Sequence, residues 1–302
     1  MNENIANINW YPGHMAKTKR QIIEDLKLID IVAEIIDSRI PVSSQNPDIQ
    51  EIIKDKKRLI ILNKSDLACE KENRKWIDYF KGKKIPAVLV DSVSGKGIQE
   101  VLQKIVEIYD EEKYQTKGRI GKSIRVMILG IPNVGKSSFI NRIAKRNTAQ
   151  VGNKPGVTRQ KQWIKVSDQI ELLDTPGVLW PKLGNQEVAL NLAYTGTIKD
   201  DILSTLDIGY ELLKVLQSNY LSNLQERYKL QENEIEDIFQ NRDLEENEKI
   251  VELMNLIGGK RGAVISGGEI DLERVVSIIL DDFRSGKLGR ITLESVGLGT
   301  YL

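Results

Sequence analysis

The 302-residue chain has one cysteine, Cys69, and one histidine, His14. A lone cysteine excludes an internal disulfide framework and a multi-cysteine zinc site, and it suits a reducing compartment. A lone histidine excludes metal sites that need two. Proline is sparse at 8 residues and aromatic residues make up 6%, so a low-complexity or collagen-like chain is excluded. No apolar run approaches the roughly 18 residues of a membrane span; the run at 126–131 stops at Pro132. Residues 1–10 carry neither an apolar signal core nor an Arg-rich transit pattern. These absences set the expectation of a cytoplasmic protein with no membrane partner.

Apolar residues are 40% and charged residues 29%, with a net charge of +1. The charge is unevenly placed. Residues 111–165 hold 13 Lys/Arg against 2 Asp/Glu, and residues 221–260 hold 5 against 10. The basic stretch fits either a polyanionic partner or a nucleotide site flanked by solvated helices. The acidic stretch reads as a solvated face.

Short, β-branched apolar runs occur at 30–37, 58–63, 86–91, 124–130, 162–166 and 169–174. Nearly continuous apolar runs suit strands of a mostly parallel sheet buried on both faces. Between them, Ile98, Val101, Leu102, Ile105 and Ile108 recur at helical spacing. This alternation predicts an α/β domain over 1–180. After Pro181 the strand signal fades. Helical patterns at 187–194, 202–216, 244–257 and 272–283 predict a smaller, all-helical domain over 181–302, with Gly258-Gly259 ending the third.

The strand at 124–129 runs into Gly130-Ile131-Pro132-Asn133-Val134-Gly135-Lys136-Ser137, and a helical pattern begins at Ser138. This is G-x-x-x-x-G-K-S between a strand and a helix, the context of a phosphate loop. Its glycines admit a tight turn and its backbone N–H groups, Val134 among them, point at phosphate. Lys136 supplies a charge to the β/γ-phosphates and Ser137 a hydroxyl to Mg²⁺.

The base is specified elsewhere. Asn63-Lys64-Ser65-Asp66 follows the strand at 58–62. A carboxylate at Asp66 pairs with the ring N–H and amine of guanine, a donor pair adenine lacks. Asn63 braces neighbouring loops and the Lys64 stem covers the base face. A second loop, at Ser92 and Val93, offers backbone N–H groups to the guanine carbonyl. Beyond the phosphate loop, Thr158 and Asp174-Thr175-Pro176-Gly177 fit the switch elements: Thr158 and Asp174 on Mg²⁺, and the Gly177 N–H on the γ-phosphate. GTPases usually place N-K-x-D after D-x-x-G. Here it comes first, so the motif order is circularly permuted.

With this order, the chain resembles the circularly permuted GTPases of ribosome assembly. Trp10-Tyr11-Pro12-Gly13-His14-Met15-Ala16-Lys17, Asp37-Ser38-Arg39-Ile40-Pro41, Asn46-Pro47 and the segment from Asp282 to Arg290 match that family's own motifs. The resemblance implies GTP hydrolysis in late maturation of the large ribosomal subunit, on a precursor particle and its ribosomal RNA, with no DNA partner. It implies RNA contact by the helical domain, for which Lys260, Arg261, Arg284, Lys287 and Arg290 are candidates; solvated helix ends are the plainer reading.

The position after Gly177 holds Val178, which cannot orient water as a glutamine does. His14 either caps the following helix or, as the resemblance implies, swings toward the γ-phosphate. Asn133 either stabilises its turn or helps hold a potassium ion between the phosphates, as in GTPases of similar loop sequence. Two rival readings remain: an RNA-binding switch with GTP as structural ligand, favoured by Val178, and a small-molecule kinase, opposed by Asn63 and Asp66.

Overall fold

A computed structural model describes residues 13–53, 56–113, 123–148, 163–175, 177, 185–198 and 204–297. The chain divides into two compact units. One comprises Asn7–Leu183 with Thr292–Leu302, and the other is built on Gly184–Ile291.

The first unit is organised around a strand whose residues leave no polar face. β1 (Ile31–Asp37) is buried along its whole length. Burying a side chain such as Ile31, Ile35 or Ile36 contributes about 1.5–3 kcal/mol each. Mid-strand, Glu34 is fully buried, and its Oε2 accepts from the Arg58 guanidinium at 3.0 Å from the neighbouring strand, which offsets the cost of burying the charge. β1 pairs in parallel with β2 (Lys57–Asn63) on one side and β4 (Ile124–Leu129) on the other. β3 (Ala87–Leu89) and β6 (Ile170–Asp174) extend the parallel set, and β5 (Trp163–Lys165) closes it antiparallel. The order is β3-β2-β1-β4-β6-β5.

The chain therefore winds outward from β1 through β2 and β3, then resumes at β4 on the other side. That reversal makes a crevice beyond the carboxyl ends of β1 and β4, the usual ligand position in such sheets. Among the described residues, the α-helices α1 (Gly13–Asp25), α2 (Pro47–Ile53), α3 (Glu70–Gly82), α4 (Ile98–Lys113) and α5 (Lys136–Thr148) belong to this unit.

The second unit is helical among its described residues: α6 (Gln186–Tyr194), α7 (Thr205–Asn219), α8 (Leu221–Tyr228), α9 (Glu232–Phe239), α10 (Glu246–Arg261) and α11 (Leu272–Arg284). α11 buries Val275, Val276, Ile279, Leu280 and Phe283 along one stripe. The acidic run belongs to α9 and α10, where Glu234 and Glu248 close capping boxes.

Two sequence expectations are corrected. α10 does not end at Gly258-Gly259 but continues to Arg261, capped by Gly262 at φ 65°. Gly258 is there for packing, since a Cβ would lie 2.4 Å from Ile270 Cγ2. The expected domain 181–302 also loses its last part. Thr292 onward returns to the sheet unit, where Leu293 N–H donates to Arg39 O at 2.8 Å.

Candidate functional site

Parallel pairing brings the carboxyl ends of β1, β2, β3, β4 and β6 to one edge, and the motif residues follow from them. Asp37 ends β1, Asn63 ends β2, Asp174 ends β6, and Gly130 follows β4.

Asn63 ties its own loop to the phosphate loop and to the loop at Ser92. Its Nδ2 donates to Val134 O at 2.8 Å, and its Oδ1 accepts from Ser92 Oγ at 2.7 Å and Ser92 N at 3.2 Å. Lys64 Nζ donates to Asn133 O at 2.7 Å and pairs with Asp37 Oδ2 at 2.9 Å. Lys64 and Asn133 both hold left-handed backbone, at φ 57° and 62°. Such conformations are uncommon outside glycine, although Asn tolerates them better than most. Gly135, at φ 95°, is required by contact as well: a Cβ would come within 2.3 Å of Asn63 Nδ2. Asp66 is exposed at the tip of its loop.

The second base loop differs from expectation in its hydrogen bonding. Ser92 N–H goes to Asn63 Oδ1, and Val93 N–H goes to Asp91 Oδ1 at 2.8 Å, with Ser94 N–H on the same oxygen. This is an Asx turn, so a guanine carbonyl would share the Val93 amide with Asp91. Arg142 from α5 donates to Ser94 O and fastens the loop from its other side.

In the phosphate loop, Lys136 is nearly enclosed, and its Nζ donates to Gly130 O at 2.9 Å and Ile131 O at 3.0 Å. Burial pushes its pKa down to about 8, with Asp174 opposing the shift. Burial likewise raises Asp174, with Lys136 opposing. Ser137 and Ser138 occupy the first turn of α5. Gly177 lies directly against this loop; a Cβ on it would sit 2.8 Å from Lys136 Nζ and 3.0 Å from Pro132 N. Thr175 Oγ1 anchors the approach by donating to Ile128 O at 2.6 Å.

The structure thus brings Asn63, Lys64, Ser92, Asn133, Val134, Gly135, Lys136 and Gly177 together. His14 falls in the first turn of α1, with its side chain outside the described residues. Thr158 and Val178 also lie outside them. Among the helical-unit cations, Arg284 is engaged on α6, donating to Tyr194 O at 3.0 Å and Ala193 O at 2.8 Å. Lys260 pairs with Glu234 at 2.7 Å, Arg261 stands 5.9 Å from the Tyr228 ring centre, and Lys287 lies 3.8 Å from Asp282. Arg290 is exposed.

Sequence reasoning assigned no role to Asp37 or Arg39. Arg39 forks onto Asp37 through Nε at 3.0 Å and Nη2 at 2.8 Å, and both are buried. The signal that would have found them is two opposite charges directly after an apolar parallel strand.

Comparison with known proteins agrees with this geometry. A family model described as "50S ribosome-binding GTPase" matches residues 125–255, starting after the displaced base motif. Ribosome biogenesis GTPase A of Bacillus cereus is 46% identical, over 95% of this chain and 94% of that protein. Mitochondrial ribosome-associated GTPase 1 of Mus musculus is 33% identical, over 94% and 89%. The solved structure of GNP-bound YlqF from T. maritima, 24% identical, covers 92% of this chain and 98% of its own with a TM-score of 0.62. The latter likeness speaks to the fold, a circularly permuted GTPase. The chain is a GTPase and belongs to the ribosome biogenesis GTPase A family.

Proposed function

We propose that this GTPase is an assembly factor for the large ribosomal subunit, acting late in its maturation and stimulated by the precursor particle. The observation that carries the reading is Gly177 packed on Lys136 and Pro132, followed by Val178 where a water-orienting side chain is expected. In this reading Gly177, beside the phosphate loop, senses the γ-phosphate, while the residue after it cannot direct water. Such a site turns over slowly until another group completes it. The names of its relatives, for ribosome biogenesis and mitochondrial ribosome association, supply the partner class.

In this reading Asn63, Lys64, Asp66, Ser92 and Val93 hold the guanine base. Asn133, Val134, Gly135, Lys136, Ser137 and Ser138 hold the phosphates. Ser137, Asp174 and Thr158 supply hydroxyl and carboxylate oxygens, a donor set that suits Mg²⁺; the ion would neutralise phosphate charge. Asn133 adds a side-chain oxygen for potassium. His14 orients water when the switch approaches, and Lys260, Arg261, Lys287 and Arg290 meet RNA phosphates. Arg284 already caps α6 and contributes less. The protein works in the cytoplasm.

Multiple turnover of GTP with and without large-subunit precursor particles tests this. Stimulation is expected, and His14→Ala should lower the stimulated rate at least about tenfold with GTP and particle affinities nearly unchanged. Equal turnover with and without particles would return the protein to a switch holding GTP as a ligand.

A further inference from the structure

Thr292, Leu293 and Glu294 re-enter the sheet unit beside the guanine-base loop, and their polar contacts converge on residues adjoining it. We propose that Thr292 and Glu294 are positioning residues of the guanine site, setting how tightly and how selectively the base is held. The inference rests on the base-site reading of Asn63 to Asp66.

Two arms connect the segment to that loop. In the first, Thr292 Oγ1 accepts the Cys69 N–H at 2.9 Å. Cys69 precedes α3 and supplies no side-chain cap of its own. Thr292 therefore supplies an acceptor to an N–H at the start of this helix. Helix α3 in turn holds the base loop, because Asn73 Nδ2 donates to Ser65 O at 3.0 Å.

The second arm runs through the turn after β1. Glu294 accepts from Val42 N–H at 2.6 Å, Ser43 N–H at 3.0 Å and the Ser43 hydroxyl. Leu293 N–H donates to Arg39 O at 2.8 Å. These contacts hold the turn that carries Arg39. Arg39 forks onto Asp37, and Asp37 pairs with Lys64. Lys64 is the residue whose stem covers the base, and its Nζ is held between Asp37 Oδ2 on one side and Asn133 O on the other. Without Asp37 the ammonium, and with it the stem, loses one of these two anchors.

Burial makes the arrangement specific. Thr292 and Glu294 are 3% and 4% exposed. Trp76 Nε1 donates to Glu294 O at 2.9 Å, and Val296 packs on the cluster of Ile36, Leu62, Trp76 and Phe80. Removing one acceptor from such a network leaves buried donors unpaired. The displacement is expected at the base loop, because that is where both arms end.

The test uses the full chain with Thr292→Val and Glu294→Gln, each close in shape to the original. The release rate of a ribose-labelled fluorescent GDP and the ratio of GDP to ADP affinity are measured. GDP release should quicken about tenfold and the GDP/ADP ratio fall about tenfold, with the loss in GTP turnover in KM rather than kcat. Thr292→Ser, which keeps the acceptor oxygen, should restore the ratio, and it remains informative if Glu294→Gln does not fold. Asp66→Asn is the control for the underlying reading. If it lowers GDP affinity while Thr292→Val and Glu294→Gln keep the wild-type ratio, the positioning role is wrong. A lower unfolding midpoint with an unchanged GDP/ADP ratio also overturns it, as that is the mark of a purely structural segment. If Asp66→Asn itself leaves GDP affinity intact, the base site is misassigned and the inference falls with it.

Discussion

Among single residues, Asp37 is a buried carboxylate held between two cations. Burial alone would raise its carboxyl, but the Arg39 guanidinium and the Lys64 ammonium outweigh burial and hold it well below the usual carboxylate range. A carboxyl lowered on folding adds stability that is fully present above its unfolded value of about 3.9 and is lost as pH falls through the folded value. Asp37→Asn should therefore cost about 3 kcal/mol at neutral pH, since it leaves two cations facing a buried neutral group. The gap from wild type should narrow below about pH 4. Urea midpoints at pH 7 and pH 3 check this, and a gap that stays constant would remove the charge from the account. Asn133 presents a different problem. Its φ of 62° gives the asparagine a backbone reason to be there, apart from any cation. Asn133→Gly keeps that backbone and deletes only the side chain. If Asn133 helps hold potassium, wild-type GTP turnover should be clearly faster in KCl than in NaCl, and the glycine variant should lose the difference; a variant that keeps it would leave Asn133 as a turn residue.

At the level of elements, legibility followed locality. The six strand-like runs all became strands because buried parallel strands need continuous apolar residues, and that requirement is written in neighbouring positions. The phosphate loop was legible for the same reason, lying within Gly130 to Ser137. The short helices α8 and α9 were not read, being 8 residues each in a polar stretch with too few apolar positions to show a period. Gly258 inside α10 makes room for Ile270, a contact between distant positions that a local reading of Gly258-Gly259 as a helix end does not contain. The role of Arg284 is likewise an inter-element fact: a basic residue on the last turn of α11 satisfies carbonyls at the end of α6. Arg284→Ala is expected to destabilise the chain by about 1.5–3 kcal/mol, the range for charged hydrogen bonds. Its affinity for precursor particles should match wild type once folded protein is compared. A large affinity loss at unchanged stability would instead make it an RNA contact.

For the whole molecule, the division into two units predicts two unfolding transitions in calorimetry. Mg-GDP at about a hundredfold over its Kd should add about 2.7 kcal/mol to the unit that holds it. For a unit of this size that is a rise of about 5–10 °C in Tm, with the other transition unmoved; a shift of both together would mean one cooperative body. The return of the chain at Thr292 was not legible, because polar partners 223 positions apart leave no periodic trace. It has a consequence in time. A chain grows at about 5–20 residues per second, and early domains ordinarily fold while later ones are still being made. Cys69, though, has to wait for Thr292, an interval of about 11–45 s at those rates. Through that interval the sheet can form with its base loop unfastened on one side. The nascent chain would then meet cellular nucleotide with its phosphate loop assembled and its guanine preference incomplete, and base selectivity would be acquired later than phosphate binding.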